Sequence, residues 1–346
     1  MAKEKEQVPP GVFLGIGNPL LDMSSIVDSE FLRKYDVQPD SAVLAEERHL
    51  ALFQELADNF EPDYIAGGAA QNTVRVAQWM MGSPGATSFM GCVGKDTYGD
   101  LLKQCAMKDG VNGHYMEDAT DATGTCAILL FQGERSLIAN LAAANNFSPE
   151  HLRTEKAESL VDAAKYVYFS GFFLTVSLES LVQVARKCID EDKVFLFNLS
   201  APFLLQYFQD RVSTVLPYCD FVFCNETEAA TFGEIKGWGD DVAQIALKIA
   251  ALPKASGTRP RIVVITQGSS PTILACQGKV VTFPVEPLAN ELLVDTNGAG
   301  DSFAGGFIAK LIQGEKLADC VRAGHFAARI VIQQSGCTFP KVCDFV

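Results

Sequence analysis

Residues Asp295–Gly314 read DTNGAGDSFAGGFIAKLIQG, and the rest of the chain is best read outward from them. Gly298 and Gly300 bracket one small residue, and Ala304, Ile308 and Leu311 recur behind them at helical spacing. A helix that opens on glycines can turn several backbone N–H groups into one concavity, at the positive end of its dipole. Such a site suits a phosphate. Asp301 stands beside it, where a carboxylate can take the proton of an attacking hydroxyl. Taken alone, the stretch fits an ordinary capped helix start equally well, because Asp caps helices and Gly is common in turns. A second helical pattern follows, carried by Leu317, Cys320, Val321, Gly324, Ala328, Val331 and Ile332.

Upstream, six apolar runs read as buried strands: Val12–Ile16, Ser88–Val93, Tyr166–Ser170, Val194–Asn198, Phe221–Cys224 and Ile262–Thr266. They lack polar alternation, as parallel strands covered on both faces do. Amphipathic helices are expected between them at Ala70–Met81, Leu178–Ile189 and Val242–Leu252. This alternation predicts an α/β fold with a central, mostly parallel sheet and right-handed crossovers. Leu20–Ala66 and Tyr115–Leu141 break the pattern. Within the second, Thr125–Phe131 and Arg135–Leu141 flank Gln-Gly-Glu, the spacing of a β-hairpin. We read these stretches as a small β-sheet lid over the carboxyl ends of the main strands, where such sheets bind ligands. The expected division is a large α/β domain (1–17, 68–114 and 142–346) and a lid domain (18–67 and 115–141).

Polar residues gather at expected strand ends. Asn18 and Asp22, in GNPLLD, suit the vicinal hydroxyls of a sugar, or else an Asn-Pro turn with a solvated Asp. GGAAQN, residues 67–72, opens a helix with paired glycines and ends on Asn72. Asn225 and Glu228 follow the run FVFC, where a carboxylate suits Mg²⁺. Arg135 falls at the hairpin turn, where a guanidinium either clamps a transferred phosphoryl group or is merely solvated.

Composition narrows the classes. Apolar residues make up 48% and charged residues 20%, as in globular chains, and the net charge of −14 opposes nucleic-acid phosphates. The ten cysteines form no C-x-x-C pair and read as thiols of a reducing compartment; the four histidines form no zinc pattern. The start, MAKEKEQVPPG, has no signal-peptide core, and the longest apolar run, YVYFSGFFLTV, falls far short of the ~20 residues that span a bilayer. A cytoplasmic monomer is expected, compatible with nuclear presence, with no membrane, nucleic-acid or obligate protein partner. No P-loop, protein-kinase catalytic loop or G-x-S-x-G elbow is found.

DTNGAGDSFAGGF resembles the anion-hole signature of the ribokinase-like carbohydrate kinases, and GGAAQN their upstream di-glycine motif. GNPLLD, AQWM, GTCA, RSLIANLAAAN, FSGFFLTVS, NLSAPF, NETEA and AGHFAA extend the resemblance across Asn18–Phe339, toward members that phosphorylate adenosine. The resemblance implies a large α/β domain with a small β-sheet lid, and transfer of the ATP γ-phosphate, with Mg²⁺, to the 5′-hydroxyl of adenosine. By the same resemblance Asp301 would be the general base. The backbone at Gly298, Ala299 and Gly300 would form the anion hole, and Arg135 would contact the phosphate as the lid closes. Asn18, Asp22, Gly68 and Asn72 would hold the ribose; Leu20, Leu44, Cys126, Leu137, Ala139 and Phe173 would form an apolar purine pocket. Asn225 and Glu228 would serve Mg²⁺ and phosphate, and Asn297 and His325 the ATP nucleoside. Ala69 and Ala70 depart from the family, replacing hydroxyl residues frequent after the di-glycine. A sugar kinase acting on ribose or fructose shares the anion hole and base but needs polar groups where these apolar residues stand. A non-catalytic nucleoside-binding protein has no use for Asp301, Arg135 and Glu228 together.

Overall fold

The strand Phe13–Ile16 is buried at every position because it lies at the centre of a sheet, in parallel register with Tyr166–Ser170 on one side and Thr87–Met90 on the other. The computed structural model describes residues 8–38, 41–131, 134–255 and 259–345. From Tyr166–Ser170 the sheet continues in parallel through Val194–Asn198, Phe221–Asn225 and Ile262–Gln267. It ends in two antiparallel strands, Ser270–Cys276 and Lys279–Phe283, which the sequence reading does not anticipate. Asn112–Gly113 closes the opposite edge, giving nine strands among the described residues.

Ser88–Val93, read above as one strand, is two. Thr87–Met90 belongs to the central sheet, whereas Cys92–Gly94 pairs with Met116–Asp118 in a separate two-stranded sheet. The break falls at Gly91, where the chain passes so close to Pro19 that a Cβ there would lie 2.5 Å from the proline Cδ. Apolar composition does not register that crossing.

A five-stranded sheet stands beside the main one, in the order Ala42–Leu44, Glu134–Asn140, Thr125–Phe131, Leu20–Ile26, Asp63–Gly67. The expected hairpin is present with its second strand one residue earlier than read; residues 132–133 of its turn lie outside the described ones. Met23, Ala127, Leu129 and Ile138 on one face pack against Phe31, Leu32, Leu52, Phe53 and Leu56 from helices Ser29–Lys34 and Leu50–Asn59. The period of two then turns the intervening residues to the opposite face.

Helix Ala299–Ile312 packs against both Leu317–Val331 and Ala69–Met81. Small residues permit this close approach: a Cβ on Gly305 would sit 2.7 Å from the Thr73 carbonyl oxygen. The starts of Ala69–Met81 and Ala299–Ile312 are thereby brought together beneath the small sheet. No helix among the described residues is long and apolar enough to cross a membrane, and none of the ten cysteines forms a disulfide.

Candidate active site

A cavity of about 890 Å³ lies between the carboxyl ends of the central strands and the five-stranded sheet. Strand register builds its apolar wall. Asp22 pairs with Cys126, Cys126 with Ala139, and Ala139 with Leu44, one row across four strands. Leu20 and Leu137 stand two residues along their strands from members of that row, hence on the same face. All six line the cavity.

Opposite them is the carboxylate of Asp301. Asn72 donates from Nδ2 to Asp301 Oδ2 at 3.1 Å, and both residues line the cavity. Burial pushes the Asp301 carboxyl up to about 7, against the opposing pull of the Asn72 hydrogen bond. The group therefore changes charge near neutrality, as suits a base. Gly298 caps helix Ala299–Ile312 at φ +73°, and Gly298 and Gly300 line the cavity. The Gly300 and Asp301 N–H groups, in the first helical turn, have no acceptor within the helix. Ala299, expected to share the anion hole, is already engaged: its N–H donates to the Thr296 carbonyl at 3.2 Å, and its side chain does not reach the cavity.

The di-glycine has a role the sequence alone does not disclose. Gly68 adopts φ +92°, and a Cβ there would lie 2.1 Å from the Asn18 carbonyl oxygen; one on Gly67 would lie 2.2 Å from Asp22 Oδ1. The glycines therefore make room for the protein's own polar residues. Asn18 is buried, donates from Nδ2 to the Ala144 carbonyl at 3.4 Å, and leaves Oδ1 without a partner. Asn18 does not itself line the cavity, although a buried acceptor in that condition suits a ligand hydroxyl.

At the next strand end, Asn225 and Glu228 cap helix Glu226–Lys236 reciprocally. Glu228 N–H donates to Asn225 Oδ1 at 2.8 Å, and Asn225 N–H to Glu228 Oε2 at 3.0 Å. Glu228 is buried against the cavity. Its carboxyl is pushed up to about 7, first by burial and further by the negative charges of Asp301 and Glu226. Two carboxylates sharing one cavity fit a hard divalent cation with oxygen ligands, Mg²⁺ among them. The Asn225 oxygen is largely committed to the cap, so Glu228 is the better-suited ligand of the two.

Three expectations need correction or qualification. Phe173 does not line the cavity; it is fully buried among Phe169 and Phe147, with ring centroids at 5.3 and 5.4 Å. Its neighbour Phe172 lines the cavity instead, because the 3₁₀ turn Gly171–Thr175 points adjacent side chains in different directions. His325 does not line it either. Its Nε2 lies 2.8 Å from Thr272 Oγ1, behind Phe303, which does reach the lining. Arg135 sits on its strand opposite Leu130, and its side chain lies outside the described residues. Asn297 lines the cavity.

Several functional positions escaped the sequence reading. Asp295 shapes the anion-hole loop by accepting from Asn297 N–H at 2.8 Å and Gly336 N–H at 2.9 Å. Ser200, at φ +67°, and Asn198 add polar groups at a strand end. A Ser-Ala-Pro stretch directly after an apolar run was the available signal.

Comparison with known proteins identifies the family. Residues 38–342 match the pfkB family of carbohydrate kinases. The chain is 53% identical to adenosine kinase 2 of Arabidopsis thaliana over 336 residues, covering 97% of each chain. Its structure is similar to Anopheles gambiae adenosine kinase in complex with P1,P4-di(adenosine-5) tetraphosphate. That match has a TM-score of 0.89 and 47% identity, covering 97% of this chain and 100% of that one. It is also similar to Schistosoma mansoni adenosine kinase in complex with 2-fluoroadenosine. There the TM-score is 0.88 at 35% identity, covering 96% of this chain and 98% of that one.

Proposed function

This chain belongs to the pfkB family of carbohydrate kinases, and we propose that it transfers the γ-phosphoryl group of ATP to the 5′-hydroxyl of adenosine, yielding AMP and ADP. One observation carries this reading beyond the family: the apolar row Cys126–Ala139–Leu44, with Leu20 and Leu137, faces Asp301 across a single cavity. A free sugar has no surface to bury there. A purine does, and its ribose then falls toward Asn18, Asp22, Gly68 and Asn72.

In the reaction the 5′-oxygen attacks the γ-phosphorus as its proton passes to Asp301. The new O–P bond forms while the bond from phosphorus to the β,γ-bridging oxygen breaks, and the electron pair leaves with ADP. Backbone N–H groups at Gly298, Gly300 and Asp301, with the helix dipole behind them, stabilise the equatorial oxygens of the phosphoryl group. Glu228, with waters, would hold Mg²⁺, which would supply neutralisation of phosphate charge. Phe172 packs against the base, and Asn297 lies on the side of the ATP nucleoside. Arg135 meets the phosphoryl group when residues 18–67 and 115–141 close as a lid over the remainder of the chain. We read the enzyme further as a cytoplasmic monomer of purine salvage.

Phosphate transfer from Mg·ATP to adenosine, ribose and fructose tests the proposal. Adenosine should be the preferred acceptor by orders of magnitude. Ribose or fructose turning over as well as adenosine would move the chain to the sugar kinases, and no transfer to any acceptor would leave a nucleoside-binding protein.

A further inference from the structure

We infer that Arg75 is a positioning residue for phosphoryl transfer: its guanidinium holds the Asn72 side chain in the one orientation that donates to Asp301. The inference rests on Asp301 being the base.

A primary amide has a donor end and an acceptor end, and nothing local selects which end faces a neighbour. Asn72 sits between two buried charges of opposite sign. Asp301 Oδ2 lies 3.1 Å from its Nδ2, and Arg75 Nη1 lies 3.3 Å from its Oδ1. A guanidinium only donates and a carboxylate only accepts, so rotating the amide by half a turn would set donor against donor and acceptor against acceptor. Arg75 thus fixes the amide through the end remote from the reacting atoms.

The guanidinium is itself immobilised. Nη1 also donates to the Ala66 carbonyl at 2.7 Å and to the Cys337 carbonyl at 3.1 Å, and Nε donates to Asp109 Oδ2 at 2.6 Å. The Phe339 ring lies 5.4 Å from its central carbon. Arg75 is fully inside the protein, one helical turn beyond Asn72, and does not line the cavity. Residues from the small sheet, the helix and the carboxyl-terminal segment therefore converge on one cation whose hydrogen-bonded link to the chemistry is Asn72, with the Asp22 charge acting on it as well.

A purely structural role for Arg75 gives different results from a positioning one. The experiment measures kcat, adenosine KM and Tm for R75M, R75K, N72A, N72A/R75M and D109N. R75M should lower kcat by about 30-fold or more, with a smaller rise in KM. In N72A/R75M the loss should be no greater than in N72A alone, within about twofold, because both substitutions break one chain of contacts. R75K should stay within about tenfold of wild type, since one ammonium with three protons can serve the three oxygens now served by Nη1. D109N, whose amide oxygen can still accept from Nε, should lower Tm and reduce kcat far less than R75M does.

Multiplying losses in N72A/R75M, or a folded R75K more than about tenfold slower than wild type, would overturn the inference. If R75M does not fold, R75K decides alone. D301N separates the two levels: substantial turnover in D301N removes the base and this inference with it. An inactive D301N with multiplying losses removes the inference only.

Discussion

Asn72 and Asp301 lie 229 residues apart in sequence and 3.1 Å apart across the floor of one cavity. The contact joins the first turns of two helices that pack on each other through Gly305, and among the described residues it gives the carboxylate its one hydrogen bond from a neighbouring side chain. Burial sets the charge of Asp301 and Asn72 sets its direction.

Replacing Asp301 by Asn should lower kcat by about 10²–10⁴-fold, the usual worth of a general base, while adenosine still binds. Asn keeps an oxygen that accepts from Asn72, so the fold is preserved. Retention of more than about a third of kcat would contradict the role, being far above what loss of a base leaves.

The same substitution should raise stability at pH 8. The folded Asp301 carboxyl lies near 7, above its ordinary value of 3.8. The unfolded chain therefore loses this proton first as pH rises, and wild-type stability declines between those two values. Below the lower value the group is neutral in both states and costs nothing. D301N removes the decline, so its Tm advantage should be absent near pH 4, grow as pH rises toward 7 and be complete above it. An equal Tm difference at both pH values would contradict the buried-carboxylate origin.

Activity should run the other way. Because the base must be ionised, kcat/KM for adenosine should fall as pH drops through about 7. A profile flat down to pH 5.5 would mean that the proton acceptor is another group.

Phe172→Ala and Phe173→Ala should part company although they are neighbours. Phe173→Ala empties a packed core site and should cost about 3–5 kcal/mol, read by denaturant unfolding. Phe172→Ala should leave stability nearly intact and raise the KM for adenosine. The reverse pattern would restore Phe173 to the cavity.

Among acceptors the expected order of kcat/KM is adenosine, then 2′-deoxyadenosine, with ribose negligible. Burying roughly 100 Å² of purine against the apolar row contributes about 2–3 kcal/mol. A missing 2′-hydroxyl leaves a buried partner such as Asn18 Oδ1 unsatisfied. Equal rates for adenosine and 2′-deoxyadenosine would remove Asn18 and Asp22 from ribose recognition.

Much of this was legible in the sequence. Unbroken apolar runs identified the central strands, because a strand buried on both faces has no polar side to show. The stretch Asp295–Gly314 announced a glycine-opened helix with a carboxylate at its start, a local property of residues adjacent in the chain. The tertiary structure decided what depends on distant partners. It chose Phe172 over Phe173 for the cavity, since composition is blind to which of two adjacent rings a 3₁₀ turn directs inward. It withdrew His325 behind Phe303 and split Ser88–Val93 where another segment crosses it. It aligned Asp22, Cys126, Ala139 and Leu44 in one row, because register is fixed by pairing between strands. It also joined Arg75, Asn72 and Asp301, whose meeting depends on how closely two helices approach. Local periodicity tells which way a side chain faces, whereas only the packing of distant elements determines what it faces.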